Sequence, residues 1–190
     1  NKEGPNSFEQ KRKIGENDHF ICELIRKDSL NEFINFINQR KVPLSSTIES
    51  SIFETNSFLI NKNPSLIEYS AFYGSVNIFK YLNSNGIELT SSLLIYAIHG
   101  NNENIIQFLF QKNIIPENNS YDEVYVESIK CHHIKMSNLI KSKTAFNSMT
   151  PIIKYYNYSL FTKDIQIYDP KIICNLFKYN YFDIVKMLLM

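Results

Sequence analysis

Cysteine and histidine, the residue types most often used as metal ligands and nucleophiles, come closest together at Cys131, His132 and His133. Zinc ligands on one helix lie three or four residues apart because only such side chains share a face, and adjacent residues point in different directions. A Cys–His nucleophile and base also need a third group to orient the base, and the sequence offers none nearby. We therefore predict no catalytic residue, no metal site and no cofactor, and a protein that is not an enzyme.

The charged residues have ordinary structural explanations. The carboxylate pairs Asp122–Glu123 and Glu49–Glu54 occupy positions typical of helix starts and solvent-facing helix surfaces. Residues 11–13 are basic, but the net charge of the whole chain is only +1. Nucleic-acid-binding proteins carry a strong basic patch. The sequence therefore predicts neither glycoside hydrolysis nor nucleic-acid binding.

Composition places the chain among globular proteins with a sizeable core. It has 190 residues, of which 44% are hydrophobic, and it contains no run of roughly 18 apolar residues of the kind that spans a membrane. Its three cysteines lie far apart, which indicates a reducing, intracellular setting, cytoplasmic or cytoskeletal. The chain begins with Asn1 and stops at Met190 within an apolar run, so we expect it to be part of a longer protein.

One short helical pattern recurs along the chain. A turn-type residue is followed by a polar or mixed spacer and then by apolar positions at helical spacing, in the segments 74–82 (GSVNIFKYL), 101–109 (NNENIIQFL), 132–140 (HHIKMSNLI) and 180–189 (NYFDIVKMLL). A helix that repeats in this way packs against its own copies. We predict an all-α fold of ten to twelve short helices in antiparallel pairs over residues 18–190, after a polar lead-in at 1–17.

Several local signals predict where helices begin. Asp18 is a predicted N-cap, and Asp169 followed by Pro170 is a strong helix start. Residues Thr47–Ile60 form a predicted extra helix that the later repeats lack. The capping-box spacing of serine and glutamate occurs three times, at Ser29–Glu32, Ser65–Glu68 and Ser120–Glu123.

The helix pairs resemble ankyrin repeats. The ankyrin pattern has two small residues, two variable ones, a glycine, three variable ones, Ile-Val, two variable ones and Leu-Leu. The best match here consists of Ser70-Ala71, Gly74, Ile78-Phe79 and Leu82. The Thr-Pro-Leu-His opening of that family is absent, and a degenerate unit falls at about 141–169. The resemblance implies an ankyrin-type helical-repeat solenoid, of a divergent kind found in parasitic protists.

The glycine position of the pattern is where the first helix stops and the chain reverses. Such a position commonly needs a positive φ, which glycine adopts freely and Asn, Asp and His adopt better than most residues. The residues predicted to occupy it are Asp28, Gly74, Asn101, His132 and Asn180, with Asn157 in the degenerate unit.

In ankyrin proteins the two variable positions before this glycine line a concave face that binds partners. Carried over by position, the resemblance implies a protein-binding face that includes Arg26, Lys27, Phe72, Tyr73, His99, Lys130, Tyr155, Tyr156, Lys178 and Tyr179. Tyrosine and arginine are typical anchors of protein interfaces. The sequence thus favours a protein–protein interaction module without nucleic-acid or membrane partners. The alternative is a permanent structural subunit of a larger cytoskeletal or scaffold assembly.

Overall fold

A computed structural model of the chain describes residues 5–160 and 169–189, and it is all-helical, with no β-strand in those ranges. It divides into two compact units, residues 1–114 and 115–190. The helices of the first unit are α1 (Pro5–Ile14), α2 (Phe20–Arg26), α3 (Leu30–Arg40), α4 (Leu66–Tyr73), α5 (Val76–Ser84), α6 (Ser92–His99) and α7 (Glu103–Gln111). Those of the second are α8 (Asp122–Lys130), α9 (Ile134–Lys141), α10 (Thr150–Lys154), a 3₁₀ turn (Tyr158–Leu160), α11 (Pro170–Lys178) and α12 (Phe182–Leu189). The predicted all-α class is confirmed.

Within each unit, helices contact one another in consecutive pairs, and the first helices of successive pairs also pack together. In the first unit α2 contacts α4, and α4 contacts α6, while α3 contacts α5. In the second unit α8 contacts α10, and α10 contacts α11. The small residues Ser70 and Ala71 on α4 are fully buried, as predicted, and they allow this close packing of helices.

The predicted reversal positions have the expected backbone conformation. Every one of the five has a positive φ: Asp28 (50°), Gly74 (68°), Asn101 (46°), His132 (58°) and Asn180 (64°). This conformation ends a helix by turning its last carbonyl groups toward the backbone N–H groups that follow. For His132 the role is therefore a backbone role, as the sequence predicted.

The degenerate unit reverses one residue earlier than predicted. Tyr156 has the positive φ (55°), and Asn157 is the residue after it. The N–H of Asn157 donates to the carbonyl of Ile152, five residues back, just as the N–H of Ser75 donates to Ser70. The assignment of Asn157 as the reversal residue was wrong because its side chain has another function, described next. Residues 161–168 of this unit lie outside the described residues.

One hydrogen bond between successive pairs occurs three times. The donor is the side chain of the residue that follows a reversal position. The acceptor is a backbone carbonyl of the preceding pair, three residues before the reversal position of that pair. The donors and acceptors are Ser75 Oγ to Ile25 O (2.5 Å), Asn157 Nδ2 to Ile129 O (2.9 Å) and Tyr181 OH to Ile153 O (2.6 Å). Each of these carbonyls lies in the last turn of a helix and also accepts the backbone N–H of the reversal residue three positions later, so the side-chain donor is its second partner. The repeated bond fixes one pair against the next.

Removing the hydroxyl of Tyr181 tests this bond. Because the side chain is only 6% exposed, Tyr181→Phe leaves the Ile153 carbonyl without this donor, and we expect the free energy of unfolding to fall by about 1 kcal/mol. Urea unfolding followed by circular dichroism measures the change. Tyr179→Phe, at a partly exposed tyrosine in the same turn, is the control, with an expected change below about 0.5 kcal/mol. Equal losses in the two variants would contradict the prediction.

Two of the predicted helix starts are confirmed. Ser65 and Glu68 form a reciprocal capping box before α4: the Ser65 hydroxyl accepts from the Glu68 N–H, and the Glu68 carboxylate accepts from the Ser65 N–H at 2.8 Å. Asp169 caps α11 by accepting from the N–H of Lys171, with Pro170 in the first turn.

The other predicted starts are wrong in detail. Ser29 precedes α3, but that helix begins without a side-chain capping bond among the described residues. Ser120 lies one residue too early, because Tyr121 is the residue that precedes α8, and the Ser120 hydroxyl accepts from the N–H of Asp122. The first helix after the lead-in is preceded by His19 rather than Asp18, whose carboxylate instead accepts a hydrogen bond from Ser51.

The amino-terminal segment contains a helix that sequence analysis missed. Residues 1–17, interpreted as a polar lead-in, include α1 from residue 5 onward. The end of the segment is part of the packed structure, since Asn17 is 3% exposed and donates from its side chain to the Glu49 carbonyl.

The predicted helix Thr47–Ile60 is wrong. Residues 47–64, here called the insert segment, form a series of turns with one isolated backbone pairing between Thr47 and Ser65. Three side chains accept hydrogen bonds from the N–H two residues further on, and they are those of Ser51, Glu54 and Asn56. Such local bonds compete directly with helical hydrogen bonds. The apolar residues of the segment are buried nonetheless at Ile48, Phe53 and Leu59.

Candidate functional site

The last turns of α2, α4 and α6 bring together four of the predicted binding residues. Arg26 ends α2, Phe72 and Tyr73 end α4, and His99 ends α6. Because α4 contacts both of the other helices, their last turns are neighbours. These four residues of the first unit were predicted only from their position in the repeat, and in the structure they lie near one another.

Gly100 allows α4 and α6 to approach closely at this surface. A Cβ atom at Gly100 would lie 2.4 Å from the carbonyl oxygen of Ala71 and 2.9 Å from that of Phe72. The φ of Gly100 is −67°, which any residue adopts, so it is the contact and not the backbone conformation that requires glycine. The same approach places the rings of Phe72 and His99 5.4 Å apart.

Arg26 is held by several groups of its own chain. Its Nη1 donates to the carbonyl of Asn17 at 2.8 Å and to the hydroxyl of Tyr69 at 3.0 Å, and its Nε lies 2.8 Å from a carboxylate oxygen of Glu16. The guanidinium also lies 5.8 Å from the centre of the Tyr73 ring. Arginine donates in several directions at once, so one side chain joins these elements. It thereby joins the connection between α1 and α2 to α4, beside Tyr73.

A cleft of about 520 Å³ opens beside Arg26 and Tyr73, between α1, α2 and the end of α4. Three ion pairs line it, and they are Lys11–Asp18 (3.1 Å), Arg26–Glu16 (2.8 Å) and Lys27–Glu23 (2.6 Å). Because each charge is matched by its partner, the wall of the cleft exerts little net field on a charged ligand. The predicted residue Lys27 is exposed at its rim.

Aromatic rings from the insert segment and from two helices form a second feature, here called the aromatic cluster. Phe58 of the insert segment lies 4.0 Å from the His99 ring, 5.0 Å from Tyr96 and 5.8 Å from Phe72, between ring centres. The rings of Phe58 and Phe72 are nearly parallel, at 5°. The ammonium of Lys62 lies 3.5 Å from the centre of the Phe58 ring, within the range of a cation–π interaction.

The buried ionisable groups near these features stay protonated at neutral pH. Burial raises the pKa of the Cys22 thiol to about 12, and burial also raises the pKa of the Tyr69 hydroxyl, which accepts from Arg26. In the second unit, burial raises the pKa of Cys131 to about 11. Because the thiolate is the reactive form, a cysteine nucleophile at these positions lacks that form at neutral pH.

In the second unit the predicted residues lie near one another in pairs. The ammonium of Lys178 lies 5.6 Å from the centre of the Tyr179 ring, and Tyr179 packs against the buried cluster that includes Leu176. Lys130 forms an ion pair with Glu127 at 3.1 Å, and the hydrogen bond to this carboxylate raises the pKa of the lysine ammonium. In this unit, as at Arg26 and Tyr73 of the first unit, a long basic side chain lies beside a tyrosine ring.

The corrected reversal residue changes the predicted set. Because the chain reverses at Tyr156, the two positions before the reversal are Lys154 and Tyr155, so Tyr156 does not belong to them. Its ring is stacked on that of Tyr181, with centres 5.3 Å apart. Lys154 takes its place, with its ammonium 5.0 Å from the centre of the Tyr155 ring.

Sequence reasoning also missed Phe58, Lys62 and Tyr96. The repeat pattern carries no signal for the first two, because they lie in the insert segment, which has no counterpart in the other repeats. Tyr96 lies one turn before His99 on the same face of α6, so helical spacing could have identified it.

The fold and this surface define an all-helical protein of paired helices whose first helices pack together within each unit. Comparison of the chain with models of protein families, with curated protein sequences and with solved structures finds no significant match. Across residues 5–160 and 169–189, no helix combines the length and the apolar character that crossing a membrane requires.

Proposed function

We propose that this chain is an ankyrin-type solenoid that acts as a protein-binding module, without catalysis, through the last turns of α2, α4 and α6. The observation that carries the proposal is the group of side chains at these turns, here called the recognition surface. It comprises the exposed Lys27, the partly exposed Tyr73 and His99, and Phe72, which is only 7% exposed and is stacked on Phe58. Tyrosine is one of the usual anchors of protein interfaces.

The repeated geometry supports the ankyrin-type arrangement. Each pair ends its first helix with a positive-φ residue, and the same inter-pair hydrogen bond recurs at Ser75, Asn157 and Tyr181. A regular offset between like units sets their last turns side by side and produces an extended surface suited to a partner.

Contacts within the chain restrict Tyr73 before any partner binds. Tyr73 is partly exposed, and its ring lies 4.7 Å from the Tyr69 ring, 5.0 Å from the Phe72 ring and 5.8 Å from the Arg26 guanidinium. A side chain that is already fixed loses little conformational entropy on binding, so more of its contact energy contributes to affinity. A partner of matching shape would place an apolar or carbonyl-rich segment against Tyr73 and a side chain into the neighbouring cleft.

Site-specific photo-crosslinking tests the surface and identifies the partner. A photoreactive phenylalanine analogue at position 73 is expected to give a covalent adduct with one protein in native extract, identified by mass spectrometry. The same analogue at position 81, a partly exposed tyrosine of α5, is the control. Binding of the purified partner is expected to weaken at least tenfold in Tyr73→Ala and to stay unchanged in Tyr81→Ala.

The same measurements can contradict the proposal. Equal adducts from positions 73 and 81, or equal affinity of the two alanine variants, would exclude the recognition surface. Without crosslinking, a partner that co-purifies with the chain in constant stoichiometry at high salt would instead favour the alternative, a permanent structural subunit.

A further inference from the structure

We propose that the aromatic cluster is a binding site for an aromatic side chain, and that the chain's own Phe58 occupies this site when no partner is bound. The inference rests on the proposed function and deepens it. It names the chemistry of the partner segment, which is an aromatic residue followed four positions later by a basic one, as in Phe58 and Lys62 of the insert segment.

The arrangement of rings resembles a receptor with a ligand in place. Phe72 and Tyr96 are 7% and 8% exposed, and together with His99 they are contributed by two packed helices. Phe58 comes from a segment of turns and covers them, parallel to Phe72 and edge-on to Tyr96 at 77°. Offset-stacked and edge-to-face contacts are the geometries that aromatic pairs prefer. The site therefore recognises a flat ring by shape and by the orientation of its neighbours.

The basic residue adds a second element of recognition. The ammonium of Lys62 lies over the Phe58 ring at 3.5 Å and is also 5.8 Å from the Tyr96 ring centre. The cation thus rests on the outer face of the ring that the cluster holds. A partner with an aromatic residue and a lysine at the same spacing reproduces both contacts.

The segment that carries Phe58 is held both by its own bonds and by the rest of the first unit, since Thr55 donates from its N–H and its hydroxyl to the Gly15 carbonyl and Leu59 is 4% exposed. The N–H groups of Leu59 and Ile60 both donate to the Asn56 carbonyl, and the N–H of Phe58 donates to the Asn56 side chain. Phe58 is the residue through which this local turn reaches the rings of α4 and α6. Its attachment to the chain keeps it at a millimolar effective concentration, so a partner must compete with it.

The aromatic cluster shares residues with the recognition surface, so the presence of Phe58 in the cluster affects the proposed function. Phe72 and His99 belong to the recognition surface, and both are stacked against Phe58. With Phe58 in place, these two rings are covered, and Tyr73 and Lys27 remain for a partner to contact first. Displacement of Phe58 by a partner ring would then extend the interface onto α6.

A peptide of the insert segment supplied in trans tests the inference. The probe is fluorescein-labelled TNSFLINKN, residues 55–63, with a second peptide in which its phenylalanine is alanine. In full-length Phe58→Ala the site is vacant, and we expect it to bind the first peptide at least tenfold more tightly than the wild type does. The alanine peptide is expected to bind no better than background, and adding His99→Ala to the variant is expected to weaken binding at least tenfold.

Two further variants keep the result decisive. Phe58→Leu retains apolar volume and so protects folding if the alanine variant proves unstable, and it is expected to bind the aromatic peptide at least threefold more tightly than the wild type. Ile52→Ala changes an insert-segment residue that is 84% exposed, and it is expected to behave as the wild type does.

The inference is overturned if the Phe58 variants bind the two peptides equally, or if they bind the aromatic peptide no better than the wild type. This experiment contains no partner protein. A negative result therefore excludes the cluster as a binding site for an added aromatic side chain and leaves the crosslinking result at position 73 to decide the proposed function separately.

Discussion

Gly100→Ala is expected to lower the free energy of unfolding by about 3 kcal/mol. The added methyl group would lie 2.4 Å from a backbone oxygen of Ala71, and backbone atoms cannot move aside as the end of a flexible side chain can. The helices α4 and α6 must separate to admit it. Urea unfolding followed by circular dichroism measures the loss.

The sign of this effect is informative in itself. At a helical backbone conformation such as that of Gly100, replacing glycine by alanine ordinarily stabilises a protein by about 0.5 to 1 kcal/mol, because it restricts the unfolded chain. A stabilised Gly100→Ala protein would therefore show that α4 and α6 do not approach as described. The control is the neighbouring variant Asn101→Gly. Position 101 has a φ of 46°, which glycine adopts readily, so we expect the free energy of unfolding to change by less than about 1 kcal/mol.

Arg26→Ala is expected to lower the free energy of unfolding by about 2 kcal/mol. The change removes the donors to Asn17 and Tyr69 and the partner of Glu16, which belong to the connection between α1 and α2 and to α4. Because the arginine side chain is 15% exposed, water replaces these bonds only in part.

Arg26→Lys is expected to recover less than half of that loss. A lysine ammonium keeps the positive charge, but it cannot reach the Asn17 carbonyl, the Tyr69 hydroxyl and the Glu16 carboxylate together. The control is Lys27→Ala, which removes the exposed ion pair with Glu23 and is expected to change stability by less than about 0.5 kcal/mol. Equal losses at positions 26 and 27 would contradict the assigned role of Arg26, and full recovery by lysine would show that charge alone matters.

These variants also separate support from contact within the recognition surface. Arg26→Ala is expected to affect both folding and partner binding, because it removes bonds within the first unit and the cation beside the Tyr73 ring. Tyr73→Ala is expected to affect mainly binding. Measuring stability and affinity on the same preparations distinguishes the two roles.

The sequence was informative wherever a single backbone requirement selects the residue type. The reversal positions were predicted because a positive φ restricts the choice to Gly, Asn, Asp and His at most sites, and the capping box at Ser65 followed from the same kind of local rule. The prediction failed in the degenerate unit, where Tyr156 has the positive φ. Asn157 is the more suitable residue type, but its side chain donates a buried hydrogen bond to the Ile129 carbonyl. A tertiary contact there outweighed the local preference.

The same reasoning explains the wrong helix at Thr47–Ile60. Its apolar residues have helical spacing, but Ser51, Glu54 and Asn56 bind the backbone two residues ahead and hold it in turns. Ile48, Phe53 and Leu59 are buried, but Ile52 and Ile60 of the same pattern are 84% and 42% exposed, so spacing indicated burial only in part. The spacing of apolar residues does not show which hydrogen bonds the backbone makes within the segment.

By itself the sequence determined the all-helical class, five of the reversal positions and the aromatic and basic character of the last turns, because each of these depends on neighbours along the chain. Only the tertiary structure decided that Arg26 is bound by Glu16, Asn17 and Tyr69, that Gly100 is needed for a close helix contact, and that Phe58 covers Phe72 and His99. The physical reason is that these contacts join residues that are distant in sequence, and neither spacing nor local propensity carries information about which distant groups will meet.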